Sequence, residues 1–468
     1  MEQVGLRFYN TLTKTKEKFE PINKGSWFTS PLVKMYSCGP TVYRSAHIGN
    51  MRAYLFTDIL KRTLIFAGYK VNHVMNITDV GHLVSDSDEG EDKVEKAART
   101  EKKTAEEITK YYADEFKKDL GRLNILFPTK WGWASEYIPQ QIKLIQELEK
   151  KEFTYKTDDG IYFDTEKFSD YGKLGLLSSG QSRVAHDDQK KRFEDFALWK
   201  FSKENENRQM EWESPWGVGY PGWHIECSAI STTELGQPFD IHTGGVDHIA
   251  IHHNNEIAQS EAAYGKNMAN FWMHNDFLLA GNEKMAKSTG NFFTVEDLVK
   301  DGVDPLAFRY LVISGHYRSK LNFSKSALEG ADNSLNKIRE LFTKKKVGGM
   351  VLQTWRKKFL ISLADDLNVP EALTHVWALI KDESVPLADK QATLLDFDNV
   401  LGLGLKDYEP RIVPENIVKL MNQREIARNE KDFEKADELR EKIEKAGFVV
   451  VDGESGPEAK PKKENKKE

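Results

Sequence analysis

The sequence predicts an α/β chain in which a parallel-sheet domain, interrupted by an insertion, is followed by an all-helical domain. Three observations predict it. Residues 33–76 read as strand, turn, helix and strand. A second strand, turn and helix recur over 239–264. From about 324 the apolar residues keep a spacing of three and four almost to the end of the chain.

The first unit opens with a short strand-like run at 33–37, and Gly39-Pro40-Thr41 turns the chain. Helical periodicity through Ile48, Leu55, Ile59 and Leu64 spans 48–66, Gly68 ends the helix, and 71–75 suits a parallel strand. This is the opening half of a dinucleotide-fold-like sheet, whose site is expected at the carboxyl ends of the strands. The acidic stretch 86–93 reads as an exposed loop, and helical patterns follow at about 95–122 and 136–151. Residues 153–213 are mixed and polar, with turn signals such as Asp158-Asp159-Gly160. We therefore divide the chain into a first half of the sheet domain (1–124), an insertion (125–215) and a second half (216–323). The second half carries the strand Phe239-Asp240-Ile241-His242, the turn Gly244-Gly245, a helix over 252–264, and an alternating run at 271–279 that leads into Lys284.

The helical domain, 324–452, begins with Leu328, Ala331, Leu335, Ile338 and Leu341, and the same spacing recurs in 352–364, 369–381, 387–401 and 415–446. Gly447 is a plausible stop for the last helix. The remaining segment, 453–468, is rich in Pro, Lys and Glu and reads as a disordered basic tail.

Composition bounds the function. Hydrophobic residues are 39% and charged residues 30% of 468, which suits sizeable cores under a charged surface. No basic segment followed by an apolar run opens the chain, and no apolar run approaches the roughly 18 residues of a membrane span. Two cysteines argue against a disulfide scaffold and for a reducing compartment, so the chain is read as cytoplasmic, with no membrane partner. A net charge of −6 gives no global pull on nucleic acid. Local basic clusters, Lys190-Lys191-Arg192, Lys344-Lys345-Lys346 and Arg356-Lys357-Lys358, are either RNA contacts or solvated faces.

Two short segments carry chemistry. His47-Ile48-Gly49-Asn50 falls where the first strand gives way to the first helix. A helix N-terminus offers free N–H groups and a positive dipole end to phosphate. His47 can add a hydrogen bond, Gly49 lets a base or ribose lie on the backbone, and Asn50 gives polar contact; a plain helix start is the alternative. Lys284-Met285-Ala286-Lys287-Ser288 is a basic loop between a strand and a helix starting near Thr294. Its two lysines can clamp transferring phosphates, or the loop is an exposed basic turn.

Taken jointly, the pattern resembles a known family. Cys38-Gly39-Pro40-Thr41-Val42-Tyr43, His47 to Asn50, Asn76-Ile77-Thr78-Asp79, Gly222-Trp223-His224-Ile225-Glu226-Cys227-Ser228, Gly244-Gly245-Val246-Asp247 and His252-His253-Asn254-Asn255-Glu256 stand in the order of the cysteinyl-tRNA synthetases. The resemblance implies a Rossmann-like class I synthetase catalytic domain with a connective insertion, followed by a helical tRNA anticodon-binding domain. It implies that L-cysteine is activated with ATP, accompanied by Mg²⁺, and passed to the terminal adenosine of tRNA(Cys). His47, Asn50, Lys284 and Lys287 are the implied catalytic residues. ATP contacts fall on His47, Gly49, Asn50, Asp247, Lys284, Lys287 and Ser288. Substrate contacts fall on Thr78, Trp223 and on His242, which is expected to close over the substrate. Cys38, Cys227, His252 and Glu256 are the implied ligands of one zinc ion per chain, and a monomer is expected. By spacing alone, two buried cysteines and an ordinary helical His–Glu pair remain the alternative to zinc, and Asp240, His248 and His253 fall outside the family's ligand positions. Ala286 stands where the family usually has Ser, which predicts altered loop dynamics with both lysines kept. Two rival readings stay open: a ligase passing cysteine to an amino-sugar, as in mycothiol synthesis, and a non-catalytic RNA-binding paralogue.

Overall fold

The computed structural model describes residues 4–26, 28–80, 92–175, 190–203, 208–281, 283–284, 293–343, 348–409, 414–453 and 456–461. A short antiparallel hairpin, β1 (Arg7–Asn10) and β2 (Thr15–Lys18), leads into the expected unit. That unit is β3 (Leu32–Ser37), α1 (Ile48–Phe66) and the parallel neighbour β4 (Lys70–Ile77). Helix α1 is buried along most of its length, including its charged residues Arg52, Asp58, Lys61 and Arg62.

The pattern at 95–122 resolves into α2 (Lys93–Glu101) and α3 (Ala105–Arg122). The break falls where Lys102 takes a left-handed conformation (φ 55°) and Thr104 caps α3, with Glu107 bonding back to the cap. Next comes β5 (Lys130–Trp133), which pairs parallel with β4 and so belongs to the main sheet. The insertion therefore begins later than residue 125: a strand of four residues is too short to announce itself by periodicity. Helix α4 (Ile138–Lys150) precedes the insertion's own antiparallel sheet: β6 (Thr154–Lys156), β7 (Gly160–Phe163), β8 (Phe196–Phe201) and β9 (Gly219–Pro221). Its core holds Phe163 stacked on Phe196, with ring centroids 5.1 Å apart, and it runs past residue 215 through β9.

The main sheet is completed by α5 (Trp223–Leu235), β10 (Phe239–Gly245), α6 (His252–Tyr264) and β11 (Ala269–Asn275). Strand β10 continues through Gly244 and Gly245, where a turn was expected, and the turn follows it. All five strands are parallel, in the order β11-β10-β3-β4-β5. The chain leaves β3 in one direction and later returns on its other side, so β3 and β10 frame a topological switch point. A small sheet follows, built from β12 (Leu278–Ala280), β13 (Glu283–Lys284) and, after α7 (Val295–Lys300) and α8 (Pro305–Ile313), β14 (Leu321–Phe323).

The helical region comprises α9 (Lys325–Glu340), α10 (Gln353–Ala364), α11 (Val369–Lys381), α12 (Leu387–Leu401), α13 (Glu415–Asn429) and α14 (Phe433–Lys445). One hydrophobic cluster runs from Ile48 and Leu55 on α1 to Phe359 and Phe397, which stack at 4.1 Å, so residue 324 does not divide two cores. Asp58 of α1 adds a buried ion pair to that junction, accepting from Arg62 at 2.8 Å and from Arg309 of α8 at 2.6 Å. The tail corrects one expectation: β15 (Phe448–Gly453) pairs antiparallel with β16 (Gly456–Pro461). Composition misled there, because the valine-rich strand before residue 453 offers its backbone to an otherwise polar segment, and Ala459 packs with Phe448 and Val450 against Ile417 and Ile443. Residues 462–468 lie outside the described residues, as do 344–347 with their lysines. No helix among the described residues is long and apolar enough to cross a membrane.

Candidate active site and metal centre

At the switch point lies a cavity of about 620 Å³, in the range of small-molecule sites. The carboxyl ends of β3, β4 and β10, the N-terminus of α1 and the first turn of α5 all reach it. Two glycines permit that convergence. A Cβ on Gly39 would fall 1.7 Å from the carbonyl oxygen of Asn76, and one on Gly244 would fall 2.6 Å from the His253 ring.

Both readings of the first signature meet in one structure. His47 is the N-cap of α1: its Nδ1 accepts the Asn50 N–H at 3.2 Å, and Asn50 Oδ1 accepts the His47 N–H at 3.2 Å. Because Nδ1 accepts, the neutral ring carries its proton on Nε2, a donor. His47, Gly49 and Asn50 also line the cavity, with Thr78, Trp223 and Asp247. The Ile48 N–H donates to the carbonyl of Phe293 at 2.8 Å, which ties the α1 N-terminus to the segment following the basic loop. Of that loop, Lys284 lies in β13, while Met285, Ala286, Lys287 and Ser288 lie outside the described residues.

Cys38 follows β3, Cys227 sits on α5, and His252 and Glu256 share a face of α6. Their donor atoms lie within 4.8 Å of one another. His252 Nε2 stands 3.0 Å from Glu256 Oε1, and Cys38 Sγ 3.9 Å from the same oxygen. The electrostatics favour deprotonated Cys227 and Glu256 and keep a proton on Cys38 and on His252. The Cys38 thiol hydrogen-bonds Cys227 and, against burial, holds the Cys227 thiol down at about 6. Burial, with Cys227 beside it, keeps the Cys38 thiol well up. Burial would raise the Glu256 carboxyl, but His242 and His252 outweigh it and hold it well below the carboxylate range. Burial likewise works against charge on His252, yet Glu256 and Cys227 push it up to about 10. Two sulfurs, an imidazole and a carboxylate, crowded together and buried except for Cys38, form a donor set that suits tetrahedral zinc, which would displace the protons on Cys38 and His252.

A second grouping, Cys38, His242, His253 and Glu256, is equally compact. Of this grouping only Cys38 lines the cavity, whereas Cys38, Cys227 and His252 of the first set all line it, so the first set is the better placed to share an ion with a bound molecule. His253 presents Nε2 to Cys38 Sγ at 3.4 Å and Nδ1 to His274 at 2.7 Å, and His274 in turn meets the Thr11 hydroxyl at 2.8 Å. Asp240 is committed elsewhere, accepting the N–H groups of Ile22 and Lys34.

His242, expected to close over the substrate, is 0% exposed, contacts Glu256 Oε2 at 2.9 Å and stacks on Trp272 at 4.5 Å. Its place on the inner strand β10 sets it behind the candidate metal ligands, in contact with Glu256. Two residues carried no expectation. His224 Nδ1 meets His252 Nδ1 at 2.9 Å, and Glu226, fully buried, accepts the Thr78 hydroxyl at 2.8 Å. Burial and the neighbouring Cys227 push the Glu226 carboxyl well up. Helix α5 is buried over His224 to Ser231, so no polar face singled these residues out. Tyr43, Arg44 and Lys93 add positive and aromatic character to the cavity wall.

Comparison with known proteins bears on this geometry. Residues 26–333 match the family described as tRNA synthetases class I (C) catalytic domain, and residues 412–456 match the cysteinyl-tRNA ligase anticodon binding domain. A cysteine–tRNA ligase of Burkholderia lata is 48% identical, covering 96% of this chain and 96% of its own. One from Borrelia hermsii is 39% identical over 97% of this chain and 99% of its own. Among solved structures, Mycobacterium tuberculosis methionyl-tRNA synthetase with methionyl-adenylate aligns with a TM-score of 0.53 at 15% identity, over 80% of this chain and 90% of that one. The Agrobacterium radiobacter LeuRS–tRNA–LeuAMS complex aligns with a TM-score of 0.57 at 12% identity, over 82% and 84%. These distant structures share the fold.

Proposed function

The chain belongs to the cysteine–tRNA ligases, a family of class I tRNA synthetases, and from that premise we propose how its cavity does the work. The protein activates cysteine with ATP and transfers it to tRNA. In the first step a carboxylate oxygen of cysteine bonds to the α-phosphorus of ATP and the bond to pyrophosphate breaks. In the second, the terminal adenosine hydroxyl of tRNA(Cys) bonds to the acyl carbon and AMP leaves.

We assign the amino-acid end to Cys38, Cys227, His252 and Glu256, which would hold one zinc ion. When bound, zinc supplies a soft Lewis acid that prefers a thiolate to a hydroxyl, where shape alone separates near-isosteres by only about 1–3 kcal/mol. His242 keeps Glu256 turned toward that site. Trp223 walls the pocket, and Thr78 meets the polar backbone groups of the substrate. At the ATP end, the N–H groups of α1 and the Nε2–H of His47 meet phosphate. Gly49 admits the nucleoside, Asn50 holds the cap and Asp247 takes a ribose hydroxyl. Lys284, Lys287 and Ser288 clamp the pyrophosphate, with Mg²⁺ accompanying ATP. All these groups come from one chain, so a monomer suffices, and a reducing cytoplasm keeps both sulfurs available.

The observation that carries this reading is a cluster of four zinc-type donors, three of them buried, that meets a histidine-capped helix N-terminus at one cavity through Cys38, Cys227 and His252. The anticodon-domain match over 412–456 favours tRNA over an amino-sugar as acceptor. Cysteine-dependent exchange between ATP and pyrophosphate, followed by charging of tRNA(Cys), tests it. No exchange would sink the enzyme reading, and exchange with amino-sugar acylation but no charging would favour the rival acceptor.

A further inference from the structure

Three hydrogen bonds behind the cavity form a chain whose direction can be read from one end. The Gly39 backbone N–H can only donate, and it donates to Asn76 Oδ1 at 2.7 Å. This settles which end of the Asn76 amide is oxygen, so its Nδ2 donates to Thr78 Oγ1 at 3.0 Å. With that bond received, the Thr78 hydroxyl gives its own proton to Glu226 Oε2 at 2.8 Å. A hydroxyl has one donor and two acceptor positions. Here the donor and one acceptor are used inside the protein, which leaves the second lone pair of a residue that lines the cavity. The Thr78 backbone is pinned as well: its N–H donates to the carbonyl of Pro40 at 3.0 Å, and its carbonyl accepts from Val42 at 3.1 Å.

We infer that Glu226 is a positioning residue: by taking the Thr78 proton it makes Thr78 an obligate acceptor, aimed at the α-ammonium of the amino-acid substrate. The inference rests on the reading of this cavity as an amino-acid-activating site and deepens it. Glu226 touches no substrate. It sits on α5 immediately before Cys227, so a single turn of helix serves both the ammonium end and the thiol end of the pocket. A neutral Glu226 keeps the bond in this direction with its proton on Oε1, which leaves Oε2 as the accepting carbonyl oxygen. An amide offers one too, so Glu226→Gln can keep the arrangement, whereas Glu226→Met cannot. Without the acceptor, the Thr78 proton is free to turn into the cavity and oppose an ammonium.

The test compares cysteine with 3-mercaptopropionate, which keeps the thiol and carboxylate and lacks the ammonium. Exchange of ATP with pyrophosphate is measured on the full chain, with 3-mercaptopropionate as inhibitor. In Glu226→Met the KM for cysteine rises roughly ten- to hundredfold, as for loss of a charge-assisted hydrogen bond. The KM for ATP and the inhibition constant of 3-mercaptopropionate hold, and Glu226→Gln recovers most of the loss. Thr78→Val, a smaller change, gives the same pattern and stands in if the methionine variant does not fold. Equal weakening of cysteine and 3-mercaptopropionate, or no weakening of either, would overturn the inference. A wild-type chain without cysteine-dependent exchange would instead overturn the functional reading on which it rests.

Discussion

His47 separates helix capping from phosphate chemistry, and two substitutions tell the contributions apart. As a cap it satisfies one N–H, that of Asn50, at a partly exposed helix end. Losing such a cap costs about 1 kcal/mol, and Asn is as good a cap as any residue. As the phosphate donor proposed above, His47 would act through Nε2 where charge develops. Removing one such donor costs roughly 10²- to 10³-fold in rate, about 2.7–4 kcal/mol. His47→Asn therefore keeps stability within a few tenths of a kcal/mol while the rate of ATP–pyrophosphate exchange at saturating cysteine and ATP falls by about two orders of magnitude. His47→Ala loses a comparable rate and additionally about 1 kcal/mol of stability, read from the urea midpoint. If His47→Asn exchanges at close to the wild-type rate, His47 is a helix cap and nothing more, and the assignment of the α1 N-terminus to ATP loses its main support.

Other substitutions probe the remaining parts. Cys227→Ser replaces a soft ligand with a hard one, so zinc content should fall well below one ion per chain and the preference for cysteine over serine should collapse; metal analysis with exchange assays reads both, and unchanged selectivity would refute the metal role. Asp58→Ala leaves Arg62 and Arg309 buried without their shared carboxylate and should cost about 3–5 kcal/mol in urea denaturation; a loss under 1 kcal/mol would mean water reaches the junction. His73 is buried against Ser37 Oγ at 2.7 Å, and burial, then Lys61, hold it well below its ordinary 6.5. Below pH 6.5 the unfolded chain binds a proton that the folded chain refuses, so this contribution to stability is full above that pH and is lost as pH falls, by up to about 1.4 kcal/mol per unit. His73→Asn should flatten the acid limb of the stability profile; an unchanged slope would contradict the neutral, buried assignment.

The parts of the fold that the sequence exposed are those with a clear period. The β-α-β opening and the helices at 252–264, 369–381 and 387–401 lie where their patterns put them. What stayed hidden has physical causes. Strand β5 is four residues long, and Lys102 ends α2 through a left-handed backbone that no side-chain pattern announces. Asp58 and Arg62, four apart on a helix, look like a surface pair in sequence, yet both are buried because α1 is covered on nearly every side. The metal-type cluster was legible only through family resemblance, since its donors come from three elements and no spacing links residues 38, 227 and 252. Helix α6 is buried almost all round, so its sequence could not say which histidine faces the cavity, and nothing in the spacing announced that His242 of β10 contacts Glu256.

The central claim is that a metal held by Cys38, Cys227, His252 and Glu256 makes this site select cysteine. The most direct measurement is ATP–pyrophosphate exchange with cysteine and with serine, on protein stripped of metal by a chelator and on the same protein after zinc is returned. The account predicts exchange with cysteine alone, lost on stripping and restored by zinc. Undiminished cysteine exchange in protein verified to be free of metal, or serine exchanged as readily as cysteine by the zinc-loaded protein, would contradict it.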